Sequence, residues 1–327
     1  MSRFVFFGGK GGVGKTTVSS AYALASAEAG LETLLVSTDP AHSTSDVFDE
    51  SFGDEPQPVE GYEGLSAVEI DPEREVDEHL MDLKRQLGSQ LSPAMVNEID
   101  IQLEMAHQTP GAYEAALFDR FVDVMADPDP YDRIVFDTSP TGSTLRLLSL
   151  PDLLAQWIDR LQYKRERSID LFEKAAIGNR EPRRVTEGDP ILDRLRERKE
   201  RFEFAGEVLR SDASFYLVLN PDTLSIRETR RSVETLADAD LAVDGLVLNR
   251  LTPSPDADET GRGGAFLRDR VATERERIET IEATFDTPLV GKIETRIEEV
   301  RGSILTEVAN ELEVDVAPAD RSSESVS

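Results

Sequence analysis

Residues 8–17 read Gly-Gly-Lys-Gly-Gly-Val-Gly-Lys-Thr-Thr. Gly9, Gly14, Lys15 and Thr16 satisfy the spacing G-x-x-x-x-G-K-[ST] of a phosphate-binding loop. Glycines leave no Cβ between the backbone and an anion. Successive N–H groups then face the phosphates, and the following helix N-terminus adds partial positive charge. Lys15 is expected against the β- and γ-phosphates of a nucleotide, and the Thr16 hydroxyl on Mg²⁺. The expected nucleotide-binding stretch is Gly9, Lys10, Gly11, Gly12, Val13, Gly14, Lys15, Thr16 and Thr17. Lys10 is surplus to a simple phosphate loop. It would add positive charge where a transferring phosphoryl group gathers negative charge; a lysine facing solvent is the plainer alternative. Two carboxylates stand at strand ends, Asp39 after Thr33–Ser37 and Asp137 after Ile134-Val135-Phe136. In doubly wound sheets ligands bind at the carboxyl ends of the strands. Asp137 fits a Walker B carboxylate that holds Mg²⁺, and Thr16, Asp39 and Asp137 are the expected metal set.

These residues need a scaffold that alternates strand and helix. Arg3–Phe7 is an apolar run, as a buried strand requires. Thr16–Ala29 is alanine- and leucine-rich without Gly or Pro, as a helix requires. Residues 49–64 hold Gly and Pro and are expected to be a loop. Leu65–Ile70 reads as a strand, on an edge. Helices are expected over 73–87, 93–107, 112–126 and 190–209. Strands are expected over Phe215–Leu219, Val243–Leu248 and Pro288–Val290. Asn220-Pro221-Asp222-Thr223 is expected to cap a helix over 224–237, with another over 264–284, and Ile304–Leu312 closes the fold. The chain therefore reads as α/β, a doubly wound and mostly parallel sheet with an inserted helical subdomain. Residues 1–72, 130–150 and 212–316 form the core of this reading. Residues 73–129 and 151–211 form the helical part, and 317–327 a disordered tail.

Composition excludes several classes. Net charge is −29, with 65 acidic against 36 basic residues. Such charge repels nucleic acid. Disorder is excluded by the 39% of hydrophobic residues, which fall in periodic blocks. A carboxylate excess on a folded chain suits a surface adapted to high salt, where screening removes the self-repulsion. Absence of cysteine rules out disulfides, thiolate zinc sites and iron–sulfur ligation. No stretch approaches the length of a membrane span and no signal peptide precedes Arg3. A cytoplasmic, soluble protein is expected.

The K-G-G-x-G-K-[ST] form resembles the deviant-Walker P-loop ATPases: ArsA and the guided-entry tail-anchored-protein targeting ATPases, MinD, ParA and the nitrogenase iron protein. Asp39-Pro40-Ala41-His42 through Ser45-Asp46 narrows the resemblance to switch I of the ArsA and tail-anchored-targeting branch. Asp137-Thr138-Ser139-Pro140-Thr141-Gly142-Ser143-Thr144-Leu145-Arg146 resembles its switch II, with Ser143 where the family usually has His. The resemblance implies an ATPase using ATP and Mg²⁺. It implies that Asp39 polarises the attacking water, with Lys10 and Lys15 as the other catalytic residues. It implies a homodimer bridged by nucleotide, into which Lys10 reaches across. Asn249 matches an asparagine that reads the adenine, and Asp222 an acidic residue near the nucleotide across the dimer. Glu298-Glu299-Val300-Arg301-Gly302 resembles the adenine-side loop. The Cys-x-x-Cys zinc clasp of many relatives cannot form, so no zinc is expected. His42 either senses the γ-phosphate or packs its loop.

The same resemblance implies a cytosolic chaperone whose helical subdomains close into a groove for a client's membrane helix, with a membrane receptor for delivery. Met81, Met95, Met105 and Met125, four of five methionines, fall in the helical stretch. A groove and ordinary core packing account for them equally well. The arginine-rich stretch 160–201 is either a docking patch or solvated helix faces. The alternative is the energising subunit of an arsenite pump, whose thiolate sites a cysteine-free chain lacks. A MinD- or ParA-like positioning switch would need a basic amphipathic or DNA-binding face, and residues 303–327 are acidic and polar.

Overall fold

The first strand, β1 (Phe4–Gly9), shows why the sheet is covered on both faces. Successive side chains of a strand point to opposite faces. Phe4 and Phe6 enter one core cluster, Val5 and Phe7 the other. A strand apolar on both faces belongs in the middle of a sheet flanked by two helical layers.

The computed structural model describes residues 2–38, 43–71, 74, 112–138, 158–160, 163, 190–259 and 261–313. After β1 come α1 (Lys15–Glu28), β2 (Thr33–Ser37), α2 (Ser43–Phe48), β3 (Gln57–Pro58) and β4 (Leu65–Glu69). Then follow α3 (Ala112–Ala126), β5 (Arg133–Asp137), α4 (Pro190–Ser211), β6 (Ala213–Leu219) and α5 (Thr223–Ala237). The last described elements are β7 (Gly245–Leu251), α6 (Arg262–Thr284), β8 (Leu289–Glu294) and α7 (Ser303–Asn310). The eight strands lie in the order β3-β4-β2-β5-β1-β6-β7-β8. Among the described residues every pairing between these strands is parallel except that of β3 with β4, and Gly291 of β8 adds a lone antiparallel bridge to Leu312. The expected doubly wound, mostly parallel α/β sheet is what forms.

Sequence expected β4 at an edge. The two-residue β3 pairs antiparallel outside it, so among the described strands β3 and not β4 ends that side of the sheet. Gln57–Pro58 is too short to carry an alternating pattern, and Pro58 has no N–H to give a further strand.

One layer holds α1 and α7. The small residues Ser19, Ser20, Ala21, Ala23, Ser26 and Ala27 of α1 are buried, which brings the helix close to the sheet and to α7. The opposite layer holds α3 and α4. Phe118, Phe121 and Val122 of α3 and Phe202, Ala205 and Leu209 of α4 pack with Phe6, Phe136 and Phe215. Phe6 stacks between Phe136 at 4.5 Å and Phe215 at 5.2 Å. Aromatic pairs of this kind contribute about 0.5–1.5 kcal/mol each beyond burial. Met125 is 2% exposed in the same cluster, so of the two readings of the methionines core packing holds for this one. Met81, Met95 and Met105 lie outside the described residues, as do the expected helices 73–87 and 93–107.

Candidate functional site

Adjacent strands bring the expected site residues to one end of the sheet. Phe7 of β1 and Ser37 of β2 both stand opposite Asp137 of β5. The Thr138 amide and hydroxyl donate to the Phe7 carbonyl at 3.4 and 2.8 Å. The Thr38 amide and hydroxyl donate to the Asp137 carbonyl at 3.2 and 3.4 Å. Three strand ends are thus tied together, and Asp137 is 1% exposed among them. Asp39 follows Thr38 directly and lies outside the described residues, as do Pro40, Ala41, His42 and the second switch from Ser139 through Ser143 to Leu148.

The phosphate loop leaves β1 at Gly9 and enters α1 at Lys15. Gly9 has φ +144°, and a Cβ there would sit 2.3 Å from the Val218 carbonyl oxygen of β6. Gly14 caps α1 with φ +90°, and a Cβ there would sit 2.2 Å from Asn249 Nδ2. At Gly9 the obstacle is the β6 backbone, and at Gly14 the positive φ opposes a side chain together with the Asn249 amide. Lys15 is 7% exposed, and its Nζ donates to the Lys10 carbonyl at 3.3 Å, which folds the ammonium back over the loop. Among the described residues the Lys10 ammonium makes no hydrogen bond or ion pair, and Lys10, Thr16 and Thr17 are half-buried.

Asn249, at the end of β7, is 7% exposed. Its Nδ2 donates to the Val13 carbonyl at 2.8 Å, and its Oδ1 accepts the Arg250 amide at 2.8 Å. Arg250 has φ +60°, a conformation that β-chain residues other than glycine seldom adopt. The bent end of β7 thus aims the Asn249 amide at the loop. Asp222 is the N-cap of α5, and its Oδ1 accepts the Leu224 and Ser225 amides at 2.9 and 2.8 Å.

Sequence reasoning missed Glu69. It ends β4 opposite Ser37 and is 4% exposed. Its Oε1 accepts the Ser45 amide at 2.9 Å and its Oε2 the Ser45 hydroxyl at 2.8 Å. The signal was present: a carboxylate closing an apolar parallel strand, as at Asp39 and Asp137. The edge assignment of this strand hid it.

The residues present fit a nucleotide with Mg²⁺. The loop is held to a tight course at Gly9 and Gly14, where a side chain would strike Val218 or Asn249, and Lys15 supplies its cation. Thr16 and Asp137 offer the hydroxyl and carboxylate oxygens a hard cation prefers. Among the described residues no group of His, Cys, Asp and Glu is arranged to hold a metal by itself.

Comparison with known proteins gives the same direction. A protein of Aquifex aeolicus (strain VF5) called "Putative arsenical pump-driving ATPase 2" is 34% identical over 284 residues, 86% of this chain and 89% of that one. A "Putative arsenical pump-driving ATPase" of Halobacterium salinarum is 32% identical over 327 residues, 98% of this chain but 46% of the relative's own length. An "ATPase get3" of Aspergillus terreus is 31% identical over 306 residues, 92% of this chain and 87% of the relative. The family model of the anion-transporting ATPases (ArsA) matches residues 2–313. That span takes in every described strand and helix, phosphate loop included, and the chain belongs to the anion-transporting ATPase family and is an ATPase.

Proposed function

We propose that the protein works in the cytoplasm as a nucleotide-bridged homodimer that hydrolyses ATP to shield and deliver hydrophobic membrane-protein clients to a membrane receptor. The observation that carries the ATPase half is the braced loop, in which the Val13 carbonyl is held by Asn249 and the Lys15 ammonium by the Lys10 carbonyl. The loop amides and Lys15 bind the phosphates. Thr16 and Asp137 hold Mg²⁺, which screens the phosphate charge when bound. Asp39 orients and polarises the attacking water. Lys10 of the partner subunit adds positive charge at the transferring phosphoryl group, and Asn249 with Asp222 completes the nucleotide contacts.

The absence of cysteine carries the choice of cargo. An arsenite site built of thiolates has no ligands here. The pump-driving names of two relatives favour the other reading, an ATPase that energises anion efflux. Among the described residues no helix is long and apolar enough to cross a membrane.

The deciding experiment uses the Asp39→Asn protein with ATP and Mg²⁺ at high KCl. A purified client with one C-terminal apolar helix is added, and complex formation is followed by size exclusion. A dimer-sized complex that forms with ATP and not with ADP supports delivery. No complex, together with wild-type ATPase stimulated by arsenite, replaces it with the pump reading. Lys10→Ala should weaken the ATP-bound dimer, and a monomer that hydrolyses normally would remove the trans-lysine from the scheme.

A further inference from the structure

The segment that carries Asp39 is anchored to the sheet at both ends. On the amino side the Thr38 amide and hydroxyl rest on the Asp137 carbonyl. On the carboxyl side the chain re-enters the sheet's network at Ser45, through Glu69. The two anchors share one foundation. Glu69 stands opposite Ser37 in the β2–β4 pair, and the Ile70 amide donates to the Ser37 carbonyl at 2.9 Å.

Glu69 takes both donors of one residue with its two oxygens. That fixes a direction of approach as well as a distance. Ser45 lies in the first turn of α2, where N–H groups have no partner within the helix. Its hydroxyl also accepts the Phe52 amide at 3.2 Å, and the Gly53 carbonyl accepts the Glu69 amide at 2.9 Å. Farther along α2, Phe48 packs against Phe52 at 6.1 Å and Tyr62 at 5.7 Å. The helix is therefore seated on the sheet edge, and a buried carboxyl group sets where its amino end lies. Hydrogen bonds to such a group are among the strong ones, more so in a low-dielectric site.

We propose that Glu69 is a positioning residue for ATP hydrolysis: through Ser45 it fixes the carboxyl-side anchor of the segment bearing Asp39. The proposal rests on the reading of Asp39 as the residue that orients the attacking water. With residues 39–42 as the only link between Thr38 and Ser43, both anchors restrict the conformations open to Asp39. Releasing one anchor widens that set, so fewer bound ATP molecules meet a carboxylate in the reactive position. Binding of the phosphates, which belongs to the loop at 9–17, is left intact.

The test measures kcat and KM for ATP, affinity for a non-hydrolysable ATP analogue, and melting temperature. The variants are Glu69→Ala, Glu69→Gln, Ser45→Ala and Asp39→Asn. Glu69→Ala should lose kcat about tenfold, the worth of one charge-assisted hydrogen bond, with KM and analogue affinity nearly unchanged. Glu69→Gln keeps an acceptor for the Ser45 amide and a donor for its oxygen, and should recover most of the rate. Ser45→Ala should fall between them, and it carries the test with Glu69→Gln if Glu69→Ala does not fold. A normal kcat in Glu69→Ala beside an inactive Asp39→Asn overturns the proposal and leaves the reading of Asp39 standing. Equal loss of kcat, affinity and melting temperature, unrelieved in Glu69→Gln, also overturns it, because that is a merely structural role. Normal turnover in Asp39→Asn removes the reading beneath the proposal and overturns both.

Discussion

Asn249 and Val13 are separated by 236 residues in sequence and joined by a 2.8 Å hydrogen bond from side-chain amide to loop carbonyl. The phosphate loop is therefore braced by a residue on a strand two places away from its own. The expectation that Asn249 faces the nucleotide's base is compatible with this bond. An amide nitrogen carries a second hydrogen, and Oδ1 a second lone pair.

Replacing Asn249 separates these roles. Asn249→Ala removes a buried bond and leaves the Val13 carbonyl without it. A weakening of ATP binding by about tenfold follows from roughly 1–1.5 kcal/mol. Asn249→Asp should be worse, although it is nearly isosteric, because a carboxylate sets an acceptor against the Val13 carbonyl. Titration calorimetry gives both constants. An Asp variant that binds as tightly as wild type would show that the bond does not shape the loop.

Glycines of the loop differ in what a methyl group would meet. At Gly9 a Cβ would strike the Val218 backbone, which cannot move without opening the β1–β6 pairing. At Gly12 nothing lies within 4 Å, and only the φ of +78° opposes a side chain. Gly12→Ala should therefore cost about 1–2 kcal/mol, the left-handed penalty alone. Gly9→Ala should cost more and lower expression or melting temperature visibly. Denaturant unfolding of both variants is the check, and equal losses would contradict the assignment of the clash.

Much of this was legible in the sequence, for identifiable reasons. The strands Phe4–Gly9, Thr33–Ser37 and Arg133–Asp137 are short, apolar on both faces and closed by Gly, Ser or Asp, so their pattern has few alternatives. The phosphate loop is a fixed spacing of residue types. What escaped depends on tertiary contact. No local pattern says that the Asn249 amide reaches the Val13 carbonyl, or that Glu69 closes on Ser45, because each bond joins separate elements. The helix at 112–126 was found, but its stripe could not say what it packs against. Phe121 and Met125 face the sheet core because β1 and β5 present Phe6 and Phe136 there.

Glu274 gives a pH-dependent prediction. It is 5% exposed on α6 and accepts the Thr252 amide at 2.8 Å and hydroxyl at 2.7 Å, with the Arg270 Nε at 3.1 Å. Burial pushes its carboxyl up, but the Thr252 donors and the Arg270 guanidinium together outweigh that and hold it below the ordinary value of 4.5. A depressed folded-state pKa stabilises above the unfolded value, and this stability is lost as pH falls through the folded one. Glu274→Gln should therefore be less stable than wild type at neutral pH by about 1 kcal/mol. The gap should begin to close below about pH 5 and be gone once the pH is under the folded value. Urea unfolding at several pH values gives the curve, and a gap independent of pH would assign the effect to packing instead of charge.

Salt should stabilise the fold, and the surface shows why. With 65 acidic against 36 basic residues, 29 carboxylates have no basic counterpart even if every cation is paired. Ion pairs such as Arg3–Asp129 and Arg301–Asp49 are mostly exposed on the acidic side, at 84% and 86%. Exposed pairs contribute about 0–1 kcal/mol each, so screening them costs little. Screening the surplus repulsion gains more, since it acts among many like charges at once. The Debye length falls from about 30 Å at 0.01 M to about 3 Å at 1 M salt. The melting temperature should thus climb through this range, by on the order of 2–3 °C for each 1–2 kcal/mol relieved. Sodium and potassium chloride should act alike if screening is the cause. A melting temperature that stays flat or falls between 0.01 and 1 M KCl would mean that the local ion pairs outweigh the net charge, and the acidic surface would then need another explanation.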